Sequence, residues 1–183
     1  VIPDAVVAAA ERGFGTQTTQ PIVTYLANTI RVGERSIPYS TITGVDSTAA
    51  LGPLLDEQGQ PIALADDEIA LNQWAADDLE ARVGDRVTIT YYEPASTHGV
   101  PREAPSQTFR IRAIVPLVDI DGTPTAAADP NLTPELAGVT DQRSINDWDL
   151  PFRLVEPIRR IDEDYWDEYS TTPEAFVSLA TAR

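Results

Sequence analysis

Two carboxylate clusters hold the side chains whose types and spacing could do chemistry. Asp66, Asp67 and Glu68 are consecutive, and residues 162–168 read DEDYWDE. Two carboxyl groups that face each other form the catalytic pair of most glycoside hydrolases, so a carboxylate-based hydrolase is one possible function. Such an enzyme needs two acids in one cleft with perturbed pKa values.

The abundance of acids weakens this interpretation. The chain has 29 acidic residues among 183, so neighbouring carboxylates are expected without any catalytic role. In a helix over residues 162–169, Asp164, Asp167 and Glu168 share one face, which is typical of a solvated helix surface. The aromatic residues of the same segment would anchor this helix to a sheet; they are Tyr165, Trp166 and Tyr169. We therefore predict that the chain is not an enzyme and has no catalytic residues.

Two other motifs could carry chemistry. His98 is the only histidine and follows Ser96 in a loop rich in proline and glycine. A serine–histidine pair would also need an acid and an oxyanion hole, which this stretch does not suggest, so we predict an exposed loop histidine. Residues 119–122 (DIDG) open like a calcium-binding loop, but the twelfth position is Pro130 and not glutamate. We predict neither a metal site nor a cofactor.

Composition excludes several function classes. All 13 basic residues are arginines, the chain lacks lysine, cysteine and methionine, and the formal net charge is −16. Without lysine there is no phosphate-binding loop of the Walker type, and without cysteine there is no disulfide or cysteine–zinc site. The acidity argues against a nucleic-acid partner. A chain that begins at Val1 and has no methionine is expected to be a segment of a longer protein.

The pattern of apolar residues predicts an α+β fold with short helices and a mixed, mainly antiparallel sheet. Helices are predicted at residues 3–13, 73–82 and 162–169. Strands are predicted at residues 23–32, 36–45, 68–72, 86–92, 107–118 and 175–180. We expect two lobes, one from residues 1–65 and 119–183 and the other from residues 66–118, with a protruding β-hairpin formed by the fourth and fifth strands.

Two details of these elements can be tested. Pro38 lies inside the second strand, so this strand should lie at an edge or carry a bulge. In the 73–82 helix, helical spacing places Trp74, Ala75 and Leu79 on one apolar stripe. The acids of that helix are expected on its solvated face; they are Asp77, Asp78 and Glu80.

Several stretches resemble the extracytoplasmic domain of FtsX-like ABC transporter permeases, the MacB-like periplasmic core region. Residues 68–92 (EIALNQWAADDLEARVGDRVTITYY) and 107–118 (QTFRIRAIVPLV) are similar to that family's strand, helix, Gly-Asp turn, strand, strand unit. Leu79, residues 83–85 (VGD) and residues 109–115 match its pattern, although Ala113 replaces the usual glycine. Residues 175–179 resemble the family's final strand.

Two further segments, residues 24–46 and 162–181, are similar to large bacterial FtsX-like permeases. The resemblance covers about two-thirds of the chain and implies a non-catalytic domain on the extracytoplasmic (periplasmic) face of the bacterial cell membrane. It also implies a cytoplasmic ATP-binding subunit that acts through the parent chain's membrane helices, and a dimeric parent permease. The resemblance further implies an extracytoplasmic protein partner, or a lipoprotein or peptide substrate.

A secreted glycan- or protein-binding module remains the alternative. It rests on Trp74, Trp148, Trp166 and the six tyrosines. Solvent exposure separates the two interpretations, because aromatic residues gathered in an open groove favour a binding module and buried ones favour the permease domain.

Overall fold

The structure is a computed structural model of the 183-residue chain. It describes residues 3–15, 19–46, 52–93, 102–103, 105–149, 154 and 156–183. The predicted loop histidine, His98, lies outside the described residues.

The described part of the chain contains three α-helices and eight β-strands. The helices are α1 (Asp4–Phe14), α2 (Gln73–Leu79) and α3 (Arg160–Tyr169). The strands are β1 (Ile22–Val32), β2 (Arg35–Pro38), β3 (Thr41–Val45), β4 (Glu68–Asn72), β5 (Arg86–Glu93), β6 (Arg102–Glu103), β7 (Gln107–Val115) and β8 (Ala175–Val177). Short 3₁₀ turns lie at residues 126–128, 130–132 and 145–147.

Six of the strands close into a barrel. The strand order is β2-β1-β3-β8-β4-β7-β5-β6, and an additional pairing of β1 with β5 joins the two sides of the sheet. Around the ring, β3–β8 and β4–β7 are parallel. The other four contacts are antiparallel, which confirms the mixed, mainly antiparallel sheet. β2 and β6 are additions to β1 and β5.

The region after β1 shows why one predicted strand is observed as two. β2 ends at Pro38, and Tyr39 has a φ of 52°, so the strand is interrupted there as the proline predicted. Hydrogen bonds from Ala27 N to Ser40 O and from Tyr39 N to Asn28 O keep this interruption against β1. β2 and β3 therefore act as one arm of a long hairpin with β1, which turns at Gly33 (φ 56°).

The ends of other elements differ from the prediction for local reasons. α2 ends at Leu79 and not at Arg82, because Glu80 adopts a left-handed conformation with a φ of 51°. β7 ends before Pro116, which cannot donate to a ladder. β8 stops at Val177 because residues 178–182 form a turn in which Ala182 N donates to Ser178 O.

Two hydrophobic clusters stabilise the barrel, one inside it and one on its outer face. The interior is filled by apolar residues of all six barrel strands together with Ala75, Ala76 and Leu79 of α2, which covers one end. The outer faces of β3, β4, β7 and β8 are covered by the segments around Leu54, Leu117 and Leu132 and by Tyr165 of α3. The barrel is thus packed on both sides over much of its wall.

The predicted lobes and protruding hairpin are not confirmed. β1, β3 and β8 come from one predicted lobe and β4, β5 and β7 from the other, yet all six share one closed sheet. β5 and β7 do pair antiparallel, over residues 86–89 and 107–110, but this pairing is part of the barrel wall. Residues 94–101, which were predicted to form most of the loop at the hairpin tip, lie outside the described residues. Within the described residues, no helix is both long and apolar enough to cross a bilayer.

Candidate functional site

A buried polar network centred on Asn72 holds α2 at the barrel end that this helix covers. Asn72 is fully buried, and its Oδ1 accepts a hydrogen bond from Ala75 N at 2.8 Å, which caps α2. Its Nδ2 donates to Tyr165 Oη at 2.9 Å and to Pro173 O at 3.1 Å. One amide therefore connects β4, α2, α3 and the segment before β8.

Glu174 is the buried acid of this network. It lies just before β8, and its Oε2 accepts a hydrogen bond from Ser40 Oγ at 2.6 Å. Burial raises the pKa of Glu174 to about 8; the Ser40 hydrogen bond opposes that shift, and the nearby charge of Asp162 adds to it. Glu174 is therefore mostly protonated at neutral pH, which removes one negative charge from the interior.

Arg159 joins α2 to α3 at the same end. Its Nη2 lies 2.7 Å from Asp78 Oδ2, and its Nε donates to Asp162 Oδ1 at 3.1 Å. Burial disfavours the charge on Arg159, but the hydrogen bonds to Asp162 and Asp78 outweigh burial and raise its pKa. The expectation of a solvated Asp78 is wrong, because the ion pair with Arg159 leaves its side chain only 12% exposed.

The opposite end of the barrel is an apolar mouth around open space. A cavity of about 290 Å³ lies there. Its floor consists of buried aliphatic residues of four strands: Ala27, Ile42, Ile89 and Val177. Its rim carries the aromatic residues Tyr25, Tyr91 and Phe109, with Gln107 beside them. The final turn, through Thr181, Ala182 and Arg183, borders the cavity on the remaining side.

Gly44 allows this final turn to approach the barrel. A Cβ atom on Gly44 would lie 2.1 Å from the Cβ atom of Ala182, closer than two carbon atoms can pack. The turn is also held by a hydrogen bond from Tyr25 Oη to Ala182 O. Residues 181–183 therefore form part of the wall of the mouth.

The predicted acidic clusters do not assemble a catalytic pair among the described residues. Asp66 and Asp67 are exposed, and Glu68 forms an ion pair with Arg110. In α3, Asp162 is buried in a capping box with Arg159. The solvated face of α3 is confirmed, since Asp164, Asp167 and Glu168 are exposed while Tyr165 and Trp166 are buried.

The acids of residues 119–122 form a turn. Asp119 Oδ1 accepts hydrogen bonds from the backbone N–H groups of Asp121 and Thr123, at 3.2 and 3.3 Å. Asp121 Oδ1 accepts from Thr123 N at 3.0 Å. Among the residues that the structure describes, no group of three or more histidine or acidic side chains is placed to hold a metal ion.

The tryptophans lie in packed regions and not in an open groove. Trp148 and Trp166 are buried and stack edge to face, with ring centroids 5.2 Å apart. Trp74 is half-buried and lies 4.4 Å from the ring of Tyr165. Three other aromatic side chains, Tyr25, Tyr91 and Phe109, border the cavity of the mouth.

Sequence reasoning did not identify the residues of either barrel end as a group. Asn72 carried a usable signal, because asparagine directly before a helical pattern is a preferred N-cap. The predicted strand at residues 86–92 contains two residues of the mouth, Ile89 and Tyr91. No local signal marks Glu174 or the pairing of β1 with β5, because both depend on contacts between distant segments.

The chain is similar in part to a solved structure. No family model matches the chain, and no curated protein matches it. Among solved structures, the chain is similar to the periplasmic region of MacB from Actinobacillus actinomycetemcomitans, with 15% sequence identity and a TM-score of 0.36. The match covers 60% of this chain and spans half the length of that one.

Proposed function

We propose that the chain is a non-catalytic extracytoplasmic domain of an FtsX-like, MacB-like ABC transporter permease. Its role would be to handle substrate or to transmit the conformational change driven by ATP hydrolysis in a cytoplasmic subunit. The parent permease would be dimeric and would engage an extracytoplasmic protein partner, or a lipoprotein or peptide substrate. Residues 1–183 would form part of one extracytoplasmic domain.

One observation carries this proposal. The stretch whose sequence resembles the family folds as β4, α2, a turn at residues 83–85, β5 and β7, in the order that the resemblance implies. In the turn, Gly84 has a φ of 97°, which favours glycine, and Asp85 Oδ2 accepts a hydrogen bond from Arg82 N at 2.9 Å. Two residues that carry the resemblance, Gly84 and Asp85, therefore have defined roles in the geometry of this turn.

The architecture suits a domain that moves as a unit. The closed barrel has a backbone ladder on both sides of each of its six strands. The network of Asn72 and Arg159 ties the covering helices to the wall. A displacement applied to one part of such a body is passed to the rest, because packed interiors deform little.

Accessibility of single cysteines in the complete parent protein tests this location. The chain itself contains no cysteine, and Ile120 is fully exposed at the tip of a turn. We expect a membrane-impermeant maleimide to label an Ile120→Cys variant in intact cells of the native host, with the protein in the membrane fraction. Leu71→Cys, at a fully buried position, is the matched control and should react only after denaturation.

Labelling of Ile120→Cys only after the cells are permeabilised would contradict an extracytoplasmic location. A parent gene without hydrophobic stretches of about 20 residues flanking this segment would contradict a permease. These two outcomes test location and membrane attachment separately.

A secreted binding module is the second candidate, and the aromatic rim of the mouth is the observation that favours it. Tyr25, Tyr91 and Phe109 meet the criterion of aromatic residues around an open space. The same experiment separates the two candidates, since a secreted module would appear in the medium and not in the membrane fraction.

A further inference from the structure

We propose that the open mouth of the barrel is a binding pocket for a small, uncharged aromatic molecule. The inference goes beyond the proposed function, because it concerns the chemistry of the pocket and holds for either location of the chain. It rests on the floor, the rim, the volume and the charge of the mouth.

The floor of the pocket offers apolar contact and no charged group. Ala27, Ile42, Ile89 and Val177 come from four different strands, and each is at most 5% exposed. These side chains line the cavity with little of their surface exposed, and a bound molecule would add apolar contacts to them. Such burial favours an apolar ligand body at roughly 25 cal/mol per Å².

The aromatic rim of the pocket favours a ligand that contains an aromatic ring. Tyr25, Tyr91 and Phe109 stand on the neighbouring strands β1, β5 and β7, and Tyr25 is 38% exposed. Aromatic side chains pair with a bound ring in offset or edge-to-face geometry, which adds to simple area burial. The hydroxyl of Tyr91 and the amide of Gln107 can form a hydrogen bond with one polar group of the ligand.

The volume of the mouth limits the size of the ligand. A volume of about 290 Å³ is near the lower bound for pockets that hold small molecules. A single ring or a fused bicyclic molecule fits this space, whereas a folded peptide segment or an oligosaccharide does not. The ligand that suits this pocket is therefore a small molecule and not a macromolecular partner.

The lining gives an ion little compensation for its lost hydration. Arg183 is the one charged side chain among the lining residues that the structure describes, and the others are apolar or neutral. Arg183 repels a cation, and the net charge of the chain, −16, opposes the approach of an anion. An uncharged molecule enters such a lining at a lower desolvation cost.

An NMR titration of the full 183-residue chain tests the proposal with three probes of similar size. Benzyl alcohol is neutral, benzylammonium is cationic and benzoate is anionic at neutral pH. We expect benzyl alcohol to shift the methyl signals of Ile42, Ile89 and Val177 saturably, and those of Leu71 little. The two ions should bind at least about fivefold more weakly, a difference of roughly 1 kcal/mol.

Two variants locate the binding. Ala27→Phe fills the floor and should abolish the shifts. Because that change could unfold the barrel, Tyr91→Ser provides the second variant, at a half-buried rim position, and should weaken binding at least about fivefold. Tyr92→Ser, the neighbouring position outside the pocket lining, is the control and should leave binding unchanged.

Several outcomes would overturn the proposal. These are the absence of saturable shifts at the mouth, tighter binding of either ion, and equal effects of Tyr91→Ser and Tyr92→Ser. None of them would bear on the membrane location of the chain, which the cysteine labelling tests.

Discussion

The barrel end beneath α2 is covered by apolar side chains of that helix and held by directional polar contacts, whereas the opposite end is bordered mainly by apolar side chains around a cavity. Asn72 at the closed end uses its carbonyl oxygen and its amide nitrogen in hydrogen bonds to three other residues. At the mouth, Ala27 and Val177 contribute only apolar surface. The two ends therefore have different sensitivities to substitution.

This difference separates stability from binding. A buried polar group that loses its partner keeps its full desolvation penalty, so substitutions at the closed end should be costly. Apolar contacts are non-directional and are lost in proportion to area, so the mouth can change shape at lower cost. We therefore expect substitutions at the closed end to lower the free energy of unfolding most. Substitutions at the mouth should mainly affect ligand binding.

Asn72→Ala should have the largest effect. It removes the cap of α2 and leaves Tyr165 Oη and Pro173 O without their donor. We expect a loss of about 3–4 kcal/mol in the free energy of unfolding, measured by urea denaturation. Gln73→Ala, one residue further on, removes only an exposed hydrogen bond to Asp77 and should cost less than about 1 kcal/mol. Equal losses in the two variants would contradict the role of Asn72.

Glu174→Gln should change how stability depends on pH. The pKa of Glu174 is about 8 in the folded protein, above the ordinary value of 4.5. The folded state therefore holds a proton that the unfolded state has released, and wild-type stability should fall as pH rises from about 5 to 8. The expected slope is up to about 1.4 kcal/mol per pH unit.

The amide of the Glu174→Gln variant does not titrate, so most of that slope should disappear. The control is Glu135→Gln at an exposed position, which should keep the wild-type slope. Denaturation at a series of pH values measures both. A Glu174→Gln protein with an unchanged slope would show that Glu174 is ionised in the fold.

Gly44→Ala should disturb the wall of the mouth. The new Cβ atom would lie 2.1 Å from that of Ala182, so the final turn must move away. We expect a loss of about 1–3 kcal/mol in the free energy of unfolding. The double variant Gly44→Ala/Ala182→Gly should recover most of the loss, as a double-mutant cycle would show. Failure of that recovery would mean that the turn does not pack on β3.

A matched pair of tyrosine substitutions should include the smallest of these effects. Tyr165 Oη donates to Thr172 O and accepts from Asn72, and it is buried at the closed end. Tyr165→Phe should cost about 2 kcal/mol, whereas Tyr25→Phe at the half-exposed mouth should cost less than about 1 kcal/mol. Thermal unfolding of the two variants measures this difference, and the reverse order would contradict the comparison of the two ends.

Much of the local structure could be predicted from the sequence. The apolar pattern predicted β5 at residues 86–92, and Pro38 predicted the interruption between β2 and β3. Closure of the barrel could not be predicted, because the pairing of Ile30 with Ile89 joins segments about sixty residues apart without any local signal. The solvent exposure of Asp78 was predicted wrongly for the same reason, because its partner Arg159 lies 81 positions further along the chain.

The rate of thiol labelling at two positions of one strand tests the difference between the ends most directly. Val87 and Ile89 both point into the barrel from β5 and are 0% and 5% exposed, but only Ile89 lines the mouth. Methyl methanethiosulfonate should modify an Ile89→Cys variant roughly 100-fold faster than a Val87→Cys variant, which reacts only when the barrel opens. Equal rates, or faster modification of Val87→Cys, would contradict a barrel with one closed end and one open mouth.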